Sequence, residues 1–121
     1  MKDRILVVED DPVLGPMLCK ILQREGFNVS LVNDGRRALP ALSSGSYDAA
    51  ILDVMLPGID GLTILRQLRS SERNGQLPVV VLTAKIDDAT TWAGWKAGTN
   101  YFMSKPFDSG ELVRVLRSIL G

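Results

Sequence analysis

Histidine is absent from the chain. That removes imidazole metal ligands, serine–histidine hydrolase chemistry and any phosphohistidine carried by the protein itself, so its chemistry must use carboxylates, hydroxyls and lysine. Cysteine occurs once, as Cys19 among Leu18, Ile21 and Leu22, which excludes an internal disulfide and reads as a buried, unreactive thiol in a reducing compartment. No apolar run approaches the roughly 20 residues that a spanning helix needs, and the N-terminus lacks the apolar core of a signal peptide. The chain therefore reads as cytoplasmic, with no membrane partner. Neither sign of charge is in excess: 14 lysines and arginines balance 14 aspartates and glutamates, which leaves no basic footprint for direct nucleic-acid binding. Low-complexity tracts are missing too, and 121 residues suit one domain with a real core, so residues 1–121 are expected to fold as a single unit.

What is present is a strand–helix alternation repeated five times without sequence repetition. Ile5 to Val8 is a continuous apolar run, as in a strand buried on both faces, and it stops at Glu9, Asp10 and Asp11. Asp11 is placed to cap a helix with Pro12 in its first turn and an inward stripe of Val13, Leu14, Met17, Leu18, Ile21 and Leu22, ending near Gly26. Phe27 to Val32 reads as an edge strand, and Asp34 opens a helix to about Ser43 in which Pro40 predicts a kink or fraying. Tyr47 to Leu52 is a third strand; Asp60 caps a helix carrying Leu62, Leu65 and Leu68 that Asn74-Gly75 closes. Val79 to Leu82, a helix from about Asp88 to Ala97, and a short strand from Tyr101 to Ser104 follow. In the last helix Asp108 and Glu111 are spaced as a capping box, and Leu112, Val115, Leu116, Ile119 and Leu120 face inward. This alternation predicts a doubly wound α/β fold: a five-stranded parallel sheet of order 2-1-3-4-5 with helices on both faces and a site outside the carboxyl ends of the strands.

At those ends the chain places Glu9 and Asp10, then Asp53, Thr83 and Lys105. Singly, each has a plain reading, as a solvated turn acid, a strand threonine or a surface lysine. Jointly, at four converging strand ends, they describe a site. Three carboxylates in one small space repel, and a hard divalent cation such as Mg²⁺, which prefers oxygen ligands, relieves them.

The segments Ile5-Leu6-Val7-Val8-Glu9-Asp10-Asp11, Leu52-Asp53-Val54-Met55-Leu56-Pro57-Gly58-Ile59-Asp60-Gly61, Leu82-Thr83-Ala84 and Lys105-Pro106-Phe107 resemble, in order and spacing across the whole chain, the receiver domains of two-component response regulators. The resemblance implies a flavodoxin-like receiver fold with five helices and a phosphorelay function. Asp53 would be the phosphoacceptor, and Asp10, Asp53 and the backbone carbonyl of Met55 would hold Mg²⁺ with Glu9 acting through water. Thr83 would donate its hydroxyl to the phosphoryl group and Lys105 would pair with a phosphoryl oxygen or with Asp53, across a cis Lys105–Pro106 bond. Phe102, three residues before that lysine, would be the aromatic that turns inward with Thr83 when Asp53 is modified. Output would pass through the fourth helix, fifth strand and fifth helix. The donor would be a partner histidine kinase or histidine phosphotransfer protein, the downstream effector would be a domain or protein that the resemblance does not identify, and the domain would not be an enzyme acting on outside substrates.

Some positions bear on that picture without completing it. Trp92 and Trp95 lie one turn apart; Trp95 is expected in the core and Trp92 at least partly exposed. Receivers fused to winged-helix DNA-binding domains often carry two acids before the aromatic, whereas Asn100 and Tyr101 stand here, so the expected state is a monomer or a weak phosphorylation-dependent dimer. Met55 and Lys85 occupy places that tune hydrolysis in the family. The competing readings are an Asp-nucleophile phosphatase or phosphotransferase, which would want an acid where Met55 stands, a flavodoxin-like cofactor binder, which the acids after the first strand would repel, and a non-phosphorylated pseudo-receiver.

Overall fold

In a computed structural model describing residues 3–72, 74–84 and 88–121, five strands form one parallel sheet. The elements are β1 (Arg4–Val8), α1 (Leu14–Arg24), β2 (Asn28–Val32), a 3₁₀ turn (Gly35–Arg37) running into α2 (Ala38–Ser44), β3 (Ala49–Asp53), α3 (Gly61–Arg69), β4 (Val79–Thr83), α4 (Asp88–Ala97), β5 (Tyr101–Ser104) and α5 (Ser109–Leu120). The order is β2-β1-β3-β4-β5 with every pairing parallel, as the alternation predicts.

Side chains alternate across a strand, and here the alternation builds two cores. Leu6, Val8, Ala50, Leu52, Val79 and Val81 pack with Leu42, Ile64, Leu65 and Leu68 beneath α2 and α3. Ile5, Val7, Ala49, Ile51, Val80 and Leu82 pack on the other face with Leu18, Leu22, Leu112 and Leu116 of α1 and α5. Of the three strands covered on both faces, β3 and β4 are buried throughout and β1 at every residue but Arg4; the edges β2 and β5 are not.

Several expectations need correction. Asp11 Oδ1 accepts from the Val13 and Leu14 amides at 2.8 and 3.1 Å, but α1 starts only at Leu14, and Val13 and Met17 are exposed. The buried face runs Gly15, Leu18, Leu22, and Met17 lies about 100° round the helix from it. Cys19 is half-buried rather than buried, with burial pushing its thiol pKa up. Pro40 does not interrupt α2, because the change from 3₁₀ to α helix precedes it and leaves it in the first turn, where its missing N–H has no intrahelical partner to lose. α3 ends at Arg69, with the Ser70 amide on the Arg66 carbonyl at 3.3 Å, so Asn74-Gly75 belongs to the following loop. Asp108 caps α5 through the Gly110 amide at 2.9 Å instead of that of Glu111, and Val113 is buried while Val115, Ile119 and Leu120 are only half-buried. Trp95 is 50% exposed and Trp92 70%. The expectation holds for Trp92 and fails for Trp95, because α4 turns its small residues, Gly94 and Ala97, inward.

Candidate functional site

Each strand end delivers one polar group after an apolar run. β1 continues into Glu9, whose amide donates to the Val32 carbonyl at 3.0 Å and so keeps extended geometry one residue past the strand. Asp53 is the last residue of β3, in register with Leu82, and Thr83 is the last of β4, beside Ser104. Lys105 follows β5, its amide on the Thr83 carbonyl at 2.8 Å. The strand order reverses between β1 and β3, which opens the crevice where such folds bind ligands.

The side chains converge. Lys105 Nζ lies 2.9 Å from Asp53 Oδ2 and 2.6 Å from Glu9 Oε1. Glu9, Asp10 and Asp53 each offer a carboxylate oxygen within 4.8 Å of the others'. Asp53 Oδ1 accepts from the Met55 amide at 3.2 Å, and Glu9 Oε2 from the Asp11 amide at 3.4 Å. Glu9 and Asp53 are buried, whereas Asp10 stands at the surface. The Lys105–Pro106 bond is cis, as the resemblance implied.

Electrostatics follow from burial. Desolvation, and then the hydrogen bond with Asp53, pushes the Glu9 carboxyl up to about 7 despite the opposing ammonium. Burial works against the charge of Lys105 too, but its hydrogen bonds to Glu9 and Asp53 outweigh that and hold its pKa above the ordinary value. With all groups ionised, three carboxylates face one ammonium. Two negative charges are then uncompensated, and the donor set is hard oxygen throughout. These residues fit a divalent cation of the Mg²⁺ type.

A groove of about 690 Å³ borders the site at Asp10 and runs along the loop after β3 to α3, lined by Met55, Pro57, Asp60 and Arg66 among others. The Met55 side chain points to solvent, 69% exposed, so its backbone is what it brings to the site. Gly61 opens α3 so close to the site loop that a Cβ there would stand 2.1 Å from the Asp53 carbonyl oxygen. Phe102 is not in the carboxylate cluster; it sits half-buried over the α2–α3 core with its ring 6.3 Å from that of Trp95. Lys85 lies outside the described residues.

Sequence reasoning missed two features. The Glu9–Lys105 ion pair is hidden in the sequence because its members stand 96 positions apart and each has a role of its own toward Asp53 or the metal, although both flank the same strand ends. Arg69 gave no signal: it donates to the Gly98, Gly75 and Leu77 carbonyls and to Asn100 Oδ1, with distances from 2.6 to 3.3 Å.

A doubly wound sheet with an acid cluster and a lysine closed around one aspartate at its switch point defines a class, the aspartate-centred signalling domains. Residues 5–117 match the response regulator receiver domain, and the chain belongs to that family. It is 41% identical over 120 residues to the DNA-binding response regulator MtrA of Mycolicibacterium smegmatis, covering 99% of this chain and 51% of that protein. It is 43% identical over 116 residues to the transcriptional regulatory protein TcrA of Mycobacterium tuberculosis, covering 96% and 45%. The chain thus spans about half the length of the curated relatives it matches. Among solved structures, the receiver domain of the Pseudomonas aeruginosa sensor histidine kinase PA1611, with magnesium in its active-site cleft, superposes with a TM-score of 0.93 at 34% identity over 100% of this chain and 99% of that one. The beryllofluoride-activated receiver domain of Klebsiella pneumoniae RstA gives 0.88 at 32% identity, covering 98% of each. The chain is a two-component receiver, and its acidic pocket is of the kind that supports Mg²⁺-dependent aspartate phosphorylation.

Proposed function

We propose that Asp53 is the phosphoacceptor, that Asp10, Asp53 and the Met55 carbonyl, with Glu9 through water, form the Mg²⁺ site, and that Thr83 and Lys105 bind the transferred group. The observation that carries this reading is the Lys105 ammonium 2.9 Å from Asp53 within a cluster of three carboxylates. Phosphoryl transfer asks the protein for an in-line nucleophile and for positive charge on the equatorial oxygens. An Asp53 oxygen attacks phosphorus, the bond from phosphorus to the donor's imidazole nitrogen breaks, and that nitrogen leaves on the histidine kinase or phosphotransfer partner. Bound Mg²⁺ supplies charge to the phosphoryl oxygens. Lys105, already paired with Asp53, needs little movement to follow the new negative charge. Water attacking the acyl phosphate in line returns the carboxylate and releases inorganic phosphate, so the mark is temporary.

In this reading the chain acts only on itself, in the cytoplasm, and signals through α4, β5 and α5 to a downstream effector domain or protein, with Thr83 and Phe102 as the moving pair. Met55 stands where a phosphatase acting on outside substrates would want its second acid, and the complete set of five polar residues disfavours a pseudo-receiver. The test is incubation with acetyl phosphate, with and without Mg²⁺, followed by intact-mass measurement. One Mg²⁺-dependent phosphoryl adduct is expected, absent in Asp53→Asn and Asp53→Ala; an adduct that persists in either variant overturns the assignment.

A further inference from the structure

A glycine in the body of a helix is a poor helix former unless something needs the space. Gly94 lies in the second half of α4, and a Cβ built on it would fall 1.8, 2.4 and 3.0 Å from Cε2, Cζ and Cδ2 of Phe102. Carbon atoms in contact need about 3.5 Å. All three atoms lie along one edge of a single ring, so the Phe102 side chain occupies the volume that any other residue at 94 would fill.

The helix cannot readily yield instead. The Gly94 carbonyl accepts from both the Gly98 and the Thr99 amides at 3.1 Å, closing the end of α4, and the next amide, of Asn100, is fixed on the Val79 carbonyl at 3.0 Å. Moving α4 away from the ring at this point would break the turn that delivers β5 to the sheet. Trp95, whose ring is tilted 53° to that of Phe102, is half-exposed and free to give way, so the ring is the group that moves.

We propose that Gly94 is a positioning residue, the gap in α4 that lets Phe102 keep its half-buried seat, and that it thereby couples α4 to the state of Asp53. The inference rests on the reading of Asp53 and Phe102 given above. The seat is the one occupied while Lys105 pairs with unmodified Asp53. A side chain at 94 excludes it and favours every arrangement in which the ring has left. If modification of Asp53 moves Phe102, the two equilibria are linked, and disfavouring the seat tightens binding of a phosphoryl mimic.

The test is a double-mutant cycle, Gly94→Ala with and without Phe102→Ala, read by denaturant midpoint and by beryllofluoride affinity at saturating Mg²⁺. With Phe102 present, G94A is expected to lower the midpoint and bind beryllofluoride several-fold tighter than wild type. In the F102A background the sign of the stability effect reverses, because alanine is the better helix former once the ring is gone, and the affinity change falls below about twofold. If G94A alone is too unstable to titrate, the comparison is made with Phe102→Leu, where G94A/F102L should still bind tighter than F102L. A raised midpoint for G94A with Phe102 in place, or an affinity change that is absent, reversed or equal in both backgrounds, overturns the proposal. Failure of the wild type to bind beryllofluoride would instead overturn the reading of Asp53, so the two failures are distinct.

Discussion

At the scale of a residue, Lys105 does two things that pull in opposite directions. Its ammonium is shared between Glu9 at 2.6 Å and Asp53 at 2.9 Å, so it neutralises part of the acid cluster while holding a donor where a phosphoryl oxygen would arrive. Replacing it with methionine, similar in bulk and uncharged, separates the two. A hydrogen bond to a charged group contributes about 1.5–3 kcal/mol, so Lys105→Met should slow acetyl-phosphate-driven modification by roughly 10- to 100-fold. The same change removes a cation that competes with a divalent ion for the carboxylates, so Mg²⁺ affinity measured by calorimetry should rise. Slower modification together with weaker Mg²⁺ binding would mean that Lys105 organises the site structurally and does not serve as a charge within it. The burial that pushes Glu9 up to about 7 belongs to the same balance, since one ammonium cannot fully compensate two buried carboxylates.

At the scale of an element, the 3₁₀ turn before α2 shows what local chemistry decides. Asp34 Oδ1 accepts from the Arg36 amide at 2.8 Å, and Oδ2 meets the Arg36 guanidinium at 2.7 Å. The side-chain bond from Arg36, and then its backbone amide, lowers the Asp34 carboxyl to about 2 from an ordinary 3.8. A depressed folded-state value stabilises the fold above the unfolded pKa, and that contribution disappears as pH falls through the folded one. The Asp34 contribution should therefore be whole at pH 5 and lost between about 4 and 2. Carbon-detected NMR should place the Asp34 titration near 2, and Asp34→Asn should flatten that part of the stability profile; a midpoint near 3.8 would mean that the cap is not formed in solution.

Elements of this kind were legible where local signals and burial agree. The apolar runs of β1, β3 and β4 fixed both the parallel sheet and the strand ends where Glu9, Asp53 and Thr83 emerge. Placement within the helices was less legible, because it depends on which neighbour a face meets. Trp95 looks like core in one dimension, but α4 packs through Gly94 and Ala97 and leaves the indole outside. Pro40 looks like a break until the 3₁₀ turn places it in a first turn. The Glu9–Lys105 pair spans 96 positions, a separation that no periodicity reports.

At the scale of the molecule, the two ends of the sheet do different work. The carboxyl ends carry the charged cluster; the amino ends of β4 and β5 are tied together by Arg69, which reaches from the end of α3 to the Gly75 and Leu77 carbonyls before β4 and to the Gly98 carbonyl and Asn100 Oδ1 before β5. Asn100 Oδ1 also accepts from the Val79 amide at 2.9 Å, which gives the asparagine a structural use of its own. Burial lowers the pKa of Arg69, the cost of holding a cation there. Losing this planar fork leaves several partly buried carbonyls without their donor, so Arg69→Ala should lower the unfolding free energy by about 2–3 kcal/mol. Lysine should restore little of it, because a point charge cannot reach acceptors set apart in a plane. Strands of four or five residues put the clamp about 15 Å from Asp53. Beryllofluoride affinity of the folded Arg69→Ala protein should thus stay within about twofold of wild type, measured well below its lowered midpoint. A larger loss would show that the amino-end clamp sets the geometry of the carboxyl-end site, and that the division of labour along the strands is wrong.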